Sequence, residues 1–315
     1  MTPFVFVVGC GRSGTTVLRT VLDSHPELAV SHEGGFVYPL SRRRARYERP
    51  GGFAVEAFAT DLLAARAVRT NLALTDEDVH AALDGEPVVD YPDAVRRIFA
   101  YYAARQGKER YGDKMPGYVQ HLPALAELFP EARFVHIIRD GRDVALSSMA
   151  IEGNTLDVLA LAINWKLRVE TGRTDGGALT PGRYHEVRYE ALTGEPESQV
   201  RHLCAFLDLD FDPTMLEFSR RRDGTPAKVL VNPRHARLAE PLSAGPRSWR
   251  THMARPDLET FEAVAGALLS ELGYDRAVPS PPLTARSKAA WGWARHQSQR
   301  VRARLPGMLR RVAAP

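Results

Sequence analysis

Residues 4–19, FVFVVGCGRSGTTVLR, constrain this chain more than any other stretch. Phe4–Val8 is an unbroken apolar, β-branched run, the pattern of a strand buried on both faces of a parallel sheet. It breaks into the turn Gly9-Cys10-Gly11-Arg12-Ser13-Gly14, and Thr15-Thr16 then open a helix carrying Val17, Leu18 and Leu22. A strand, a glycine loop and a helix N-terminus in succession offer unpaired backbone N–H groups and the positive end of a helix dipole to a single anion. Gly9 and Gly14 have the Gly-x-x-x-x-Gly spacing of a nucleoside-triphosphate loop, but Thr15 stands where that motif needs lysine, and Arg12 lies inside the loop. The stretch therefore reads as a phosphate cradle, though not one for a magnesium-dependent triphosphate.

Strands and helices alternate along the rest of the chain, which predicts an α/β fold with a central parallel sheet flanked by helices. Leu28–Val30 is a short second strand, and Phe134–Ile138 is a second strong buried one. Between them, residues 41–110 read as a helical insertion. It begins with an arginine-rich exposed stretch at 41–49, and Thr75–Asp78 resembles a capping box. Helices are expected at 118–129, 156–171 (containing Trp165, a core residue), 197–207 and 258–272, with a strand over Tyr184–Tyr189. Residues 220–250 read as irregular, basic and Pro/Gly-rich.

Arg139 closes the strand Phe134–Ile138, and Ser147 follows eight residues later on the next helix. An arginine and a hydroxyl so placed make a second phosphate clamp. Ligands of open parallel sheets bind at the carboxyl ends of the strands, so both loops can face one crevice and hold a nucleotide with two separate phosphate groups. The competing reading of Arg139 is a salt bridge with Asp140 or Asp143. His136, inside an apolar strand, reads as a core histidine.

Composition narrows the partners. With 315 residues, 44% apolar and 25% charged, the chain reads as a soluble globular protein, one domain over 1–275 with a basic tail over 276–315. The net charge of +4 belongs to that tail: nine Arg/Lys and no acid follow Asp275, leaving 33 basic against 38 acidic residues before it. No nucleic-acid partner is expected from such a balance. Within 286–311, Trp291, Trp293, Val301, Leu305 and Leu309 accompany seven arginines and one lysine, which reads as a basic amphipathic helix for a membrane surface or another polyanion. Two cysteines give no disulfide framework, and Phe4–Val8 is too short for a signal or a membrane span, so a cytoplasmic location is expected.

The Gly11–Thr16 loop paired with the run Arg139–Ser147 resembles the sulfotransferase family that uses 3′-phosphoadenosine 5′-phosphosulfate (PAPS). The resemblance continues, in order, through Leu22–Glu27, Asp113–Pro116, Arg188–Leu192 and Trp249. Its nearest flavour is the branch that includes the tyrosylprotein sulfotransferases, without that branch's membrane anchor and disulfides. It implies that Arg12, Ser13, Gly14, Thr15 and Thr16 grip the 5′-phosphosulfate and that Arg139 and Ser147 take the 3′-phosphate. It implies Tyr189, Arg247 and Trp249 as further donor contacts. It implies Glu33 as the base for an acceptor hydroxyl, with His32 as rival, and Arg12 and Lys114 as the cations on the moving sulfuryl group. Lys114 could instead pair with its neighbour Asp113. No metal is required for such chemistry in principle, because cations and loop N–H groups can carry the electrostatic work. The acceptor stays open among carbohydrate, lipid, small metabolite and tyrosine. A nucleotide-dependent kinase and a non-catalytic nucleotide- or polyanion-binding protein are the competing readings.

Overall fold

The computed structural model describes residues 2–220 and 248–304, so Arg247 and most of the loop around it lie outside the described residues. The chain divides into two compact units, Met1–Arg139 with Arg168–Ala244, and Asp140–Leu167 with Gly245–Pro315.

The first unit is built on a five-stranded parallel sheet. In chain order its elements are β1 (Val5–Gly9), α1 (Thr15–Asp23), β2 (Leu28–His32) and α2 (Val37–Ser41), then a small hairpin of β3 (Glu48–Arg49) and β4 (Gly52–Phe53). Helices α3 (Val55–Ala64), α4 (Arg66–Asn71), α5 (Asp76–Leu83) and α6 (Tyr91–Ala104) follow, then β5 (Arg110–Lys114), α7 (Leu122–Leu128) and β6 (Arg133–Ile138). The sheet order is β2-β5-β1-β6-β7, with β7 at Tyr184–Arg188. Helices α10 (Tyr189–Gly194) and α11 (Pro196–Leu207) come after it.

The alternation of side chains along β1 explains its unbroken apolar sequence. Phe4, Phe6 and Val8 face a cluster that includes Phe99, Tyr111, Phe129 and Phe134. Val5 and Val7 face the other way, into Leu18, Val21 and Leu22 of α1 with Val187, Val200 and Leu203. Both layers are fully buried, and each such side chain contributes roughly 1.5–3 kcal/mol by leaving water.

Register brings the carboxyl ends of the strands to one edge. Val7 pairs with Lys114, Gly9 with Ile137, His32 with Lys114, and Ile138 with Arg188. The residues that immediately follow, namely Glu33, the glycine loop, Arg139 and Tyr189, therefore share that edge.

Several boundaries differ from the sequence expectation for local reasons. The expected helix 118–129 is a 3₁₀ turn over Pro116–Gln120 followed by α7, because His121 leaves helical geometry at φ −137° and Pro123 opens a new helix. Tyr189 opens α10 and does not end β7. The arginine-rich stretch is a short 3₁₀ turn at Arg44–Arg46 and the hairpin, held by buried Tyr47, whose hydroxyl donates to Asp61 Oδ2 at 2.8 Å. The capping box at Thr75 is present, its Oγ1 accepting from Asp78 N while Asp78 Oδ2 accepts from Thr75 N.

The second unit contains α8 (Gly141–Met149) and the first part of α9 (Val158–Gly177), whose residues from Arg168 belong to the first unit. It also contains α12 (Trp249–His252), α13 (Arg255–Glu271) and α14 (Leu283–Arg304). Its centre is Arg142, buried to 1% exposure, which donates to both carboxylate oxygens of Asp140 and to Glu262 Oε1 at 2.7 Å and lies 3.6 Å from the Trp249 ring centroid. Such a buried cation is tolerable because nearly every donor has a carboxylate partner. Trp165 is fully buried beside Phe261, as the sequence suggests. The basic tail continues as α14, which packs Ala285, Ala289 and Gly292 inward, the last against Leu159.

Candidate active site

The glycine loop after β1 is tied by a hydrogen bond from Ser13 N to Cys10 O at 3.2 Å. Arg12 at φ 71° and Gly14 at φ 94° are both left-handed, and backbone of this kind turns successive N–H groups into a concave anion nest. Gly14 caps α1 without a side chain, so the first-turn amides of α1 remain for a ligand. The Ser13 hydroxyl is fully buried and its oxygen has no hydrogen-bond partner in the protein, which fits an oxygen-rich anion at the loop. Cys10 is buried as well, and burial raises its thiol to about 11, so it is no nucleophile at neutral pH.

Arg139, the candidate second clamp, meets the glycine loop through one aromatic ring. A side chain on Gly14 would come within 2.4 Å of Tyr189 Cδ2, and the Arg139 guanidinium carbon sits 4.4 Å from the centroid of the same ring. The loop, Tyr189 and Arg139 thus occupy one edge of the sheet. Asp140 is bound by Arg142. Ser147 lies half-buried on α8, in the second unit.

Lys114 ends β5 with 0% of its side chain exposed, and burial pulls its pKa down. Its Nζ donates to Glu33 Oε1 at 2.6 Å and to Thr16 Oγ1 at 3.4 Å, joining the residue after β2 to α1. Asp113 is not its partner, because adjacent strand residues point to opposite faces. The Asp113 carboxylate takes Ser31 Oγ at 2.7 Å and Gly34 N at 2.9 Å on Oδ1, and burial raises it to about 6. A Cβ on Gly34 would stand 3.1 Å from this carboxylate and crowd it.

Glu33 and His32 differ in access. His32 ends β2 and is 7% exposed, whereas the Glu33 side chain is 43% exposed and leaves the strand at φ 48°. His136 is fully buried, donating from Nδ1 to Tyr184 Oη at 2.7 Å, which donates to Glu186 Oε1 at 3.0 Å; burial pushes its pKa down to about 3. It is a core histidine, as the sequence suggests. Trp249 is 6% exposed beneath Arg142, its backbone N donating to Asp143 Oδ1 at 2.7 Å.

Three contributors escape the sequence reading. Asn71 at the end of α4 donates from Nδ2 to the Glu33 carbonyl at 3.0 Å. Arg168 on α9 brings Nη1 to 3.9 Å from the position of a Cβ on Gly117, and its charge acts on both Cys10 and His121. Tyr38 stacks on His121 at 3.7 Å between ring centroids and accepts from Arg42. Apart from the i,i+4 pair Tyr38–Arg42, no sequence spacing links these residues, since each other pair joins separate elements.

A model of the sulfotransferase family matches residues 3–213. The chain is similar to a putative protein-tyrosine sulfotransferase of Caenorhabditis briggsae, 25% identical over 288 residues that cover 88% of this chain and 91% of that protein. It is similar to the nodulation protein NoeE of Sinorhizobium fredii, 25% identical across 87% of this chain and 66% of that protein. Among solved structures, the sulfotransferase domain of the Synechococcus PCC 7002 olefin synthase shares the fold with a TM-score of 0.56 at 24% identity, over 87% of this chain and 95% of that one.

Proposed function

The chain belongs to the sulfotransferase family, and from that premise we propose that it moves a sulfuryl group from PAPS to an acceptor hydroxyl, with Glu33 as the base. The observation that carries this reading is Lys114 Nζ, held 2.6 Å from the Glu33 carboxylate and 3.4 Å from Thr16 on the phosphate loop. A half-exposed carboxylate can take the proton from an entering hydroxyl, while a buried ammonium beside the loop faces the charge that grows on the leaving phosphate.

The donor supplies the sulfuryl group, and its 3′,5′-diphosphate PAP is the leaving group. The nest at Arg12–Gly14, the Ser13 hydroxyl and the α1 amides of Thr15 and Thr16 would hold the 5′ end. Arg139, stacked on Tyr189, would hold the 3′-phosphate. Exposure separates the two candidate bases: His32 is buried and Glu33 is open to an acceptor. The cations of this chain carry the electrostatic work, and no metal is needed. The two buried free thiols suit a reducing cytoplasm, and no helix among the described residues is long and apolar enough to cross a membrane. The outward side of α14, with Lys288, Trp291 and Arg295, suits contact with an anionic membrane surface.

The test is incubation with sulfur-labelled PAPS and a cell extract, with and without a metal chelator, followed by mass spectrometry of the labelled product. The expected product has gained one sulfuryl group, with PAP released in equal amount and the rate unchanged by chelation. Phosphorylated product from ATP, or PAPS binding without transfer to any acceptor, contradicts the reading.

A further inference from the structure

We infer that Asn71 is a positioning residue for the acceptor base, holding the Glu33 backbone in the conformation that presents its carboxylate to Lys114; this rests on the reading of Glu33 as base. Glu33 sits at φ 48°, a region that residues with a side chain rarely adopt and that persists only where the surroundings over-determine it. Three hydrogen bonds supply that constraint. Glu33 N donates to Lys114 O at 2.9 Å, Gly34 N donates to Asp113 Oδ1 at 2.9 Å, and Asn71 Nδ2 donates to Glu33 O at 3.0 Å.

The first two come from β5, which also carries Lys114. The third comes from α4, on the acceptor-side insertion, and so ties that insertion to the base. The amide can face Glu33 in one way only. The Glu33 carbonyl is an acceptor, so Nδ2 must point to it, and Oδ1 then shares the Thr70 Oγ1 proton, at 3.2 Å, with Arg66 O at 3.0 Å. Released from Asn71, the peptide after Glu33 can rotate toward commoner backbone angles, and the carboxylate would swing away from the 2.6 Å contact with Lys114. The donor grip would be untouched, because no donor residue named above bonds to Asn71.

The experiment is a double-mutant cycle in the full chain with Asn71→Ala and Glu33→Gln. It reads the initial rate of label transfer from saturating sulfur-labelled PAPS to the acceptor-bearing fraction of a cell extract, and PAP affinity by calorimetry. Asn71→Ala is expected to lower the rate about ten- to a hundredfold, the scale of an ångström-sized misplacement, with PAP affinity within about twofold of wild type. In the Glu33→Gln background the same change is expected to alter the residual rate by less than about twofold, since its route of action is gone. Asn71→Asp, which sets acceptor against acceptor, loses at least as much as Asn71→Ala. An unchanged rate in Asn71→Ala, a fully multiplicative loss in the Glu33→Gln background, or a collapse of PAP affinity overturns the inference. Near-wild-type transfer by Glu33→Gln alone overturns the base itself, a separate and recognisable failure.

Discussion

The ring of Tyr189 occupies the space that a side chain at Gly14 would need, with Cδ2 2.4 Å and Cε2 2.8 Å from an ideal Cβ there. Gly14 is also left-handed at φ 94°. Gly14→Ala therefore meets two penalties at once, backbone strain of about 1–2 kcal/mol and the displacement of a ring that carries Arg139. PAP affinity by calorimetry is expected to fall at least about tenfold, the equivalent of 1.4 kcal/mol. Tyr189→Phe keeps the ring and should bind PAP almost as wild type. Equal affinity in Gly14→Ala and wild type would show that the loop does not grip the donor.

As the proposed cation, Lys114 joins function to a cost in stability. It is fully buried, and Glu33, its partner, is exposed enough to be solvated alone. Replacing a buried ion with an apolar group of similar length is often neutral or stabilising. Lys114→Met is expected to leave the melting temperature unchanged or raised, while label transfer falls roughly 10²–10³-fold, the scale for one lost electrostatic stabiliser. A variant equally impaired in folding and transfer contradicts the assignment.

Asp113 gives a pH signature. Burial, opposed by the hydrogen bonds from Gly34 and Ser31, raises its carboxyl from 3.8 to about 6. The folded state then holds that proton more tightly than the unfolded chain. The stabilisation is full below about pH 4 and is lost as pH rises through about 6, a total of roughly 3 kcal/mol. Asp113→Asn keeps an acceptor for Ser31 and Gly34 but cannot titrate. The wild-type stability minus that of Asp113→Asn, from urea unfolding, should fall between about pH 4 and 6 and be level above. A difference flat across this range contradicts the burial argument.

Helix α14 turns Ala285, Ala289 and Gly292 inward and leaves Trp291 59% exposed with Arg295 stacked 5.4 Å from its ring. The protein is expected to sediment with phosphatidylglycerol vesicles and not with phosphatidylcholine vesicles. Each basic side chain near the surface contributes about 1 kcal/mol, so binding should vanish at ~1 M salt, where the Debye length is about 3 Å. Trp291→Ala should weaken sedimentation, and binding equal on both vesicle types contradicts an electrostatic contact.

What the sequence revealed and what it hid follow from the range of the interactions. The β1 strand and its loop were legible because the pattern is local: an apolar run buried on both faces, glycines where the backbone turns left-handed, and a helix start. Trp165 and His136 were legible as core by their apolar surroundings. Lys114 was ambiguous, since sequence adjacency suggested Asp113, whereas strand alternation sends the two side chains apart and gives Lys114 to Glu33 across 81 positions. Asn71 and Arg168 were invisible, each reaching the site from a helix whose placement depends on tertiary packing. The break at His121 was missed because a single residue leaving helical geometry outweighed helical periodicity on both sides.

The most direct test is Glu33→Gln, measured side by side for PAP affinity and for label transfer from sulfur-labelled PAPS to the acceptor fraction of a cell extract. The account predicts PAP affinity within about twofold of wild type and transfer reduced by about 10²–10⁴, the contribution of a positioned general base. Transfer by Glu33→Gln at near-wild-type rate, with the donor bound normally, would contradict it.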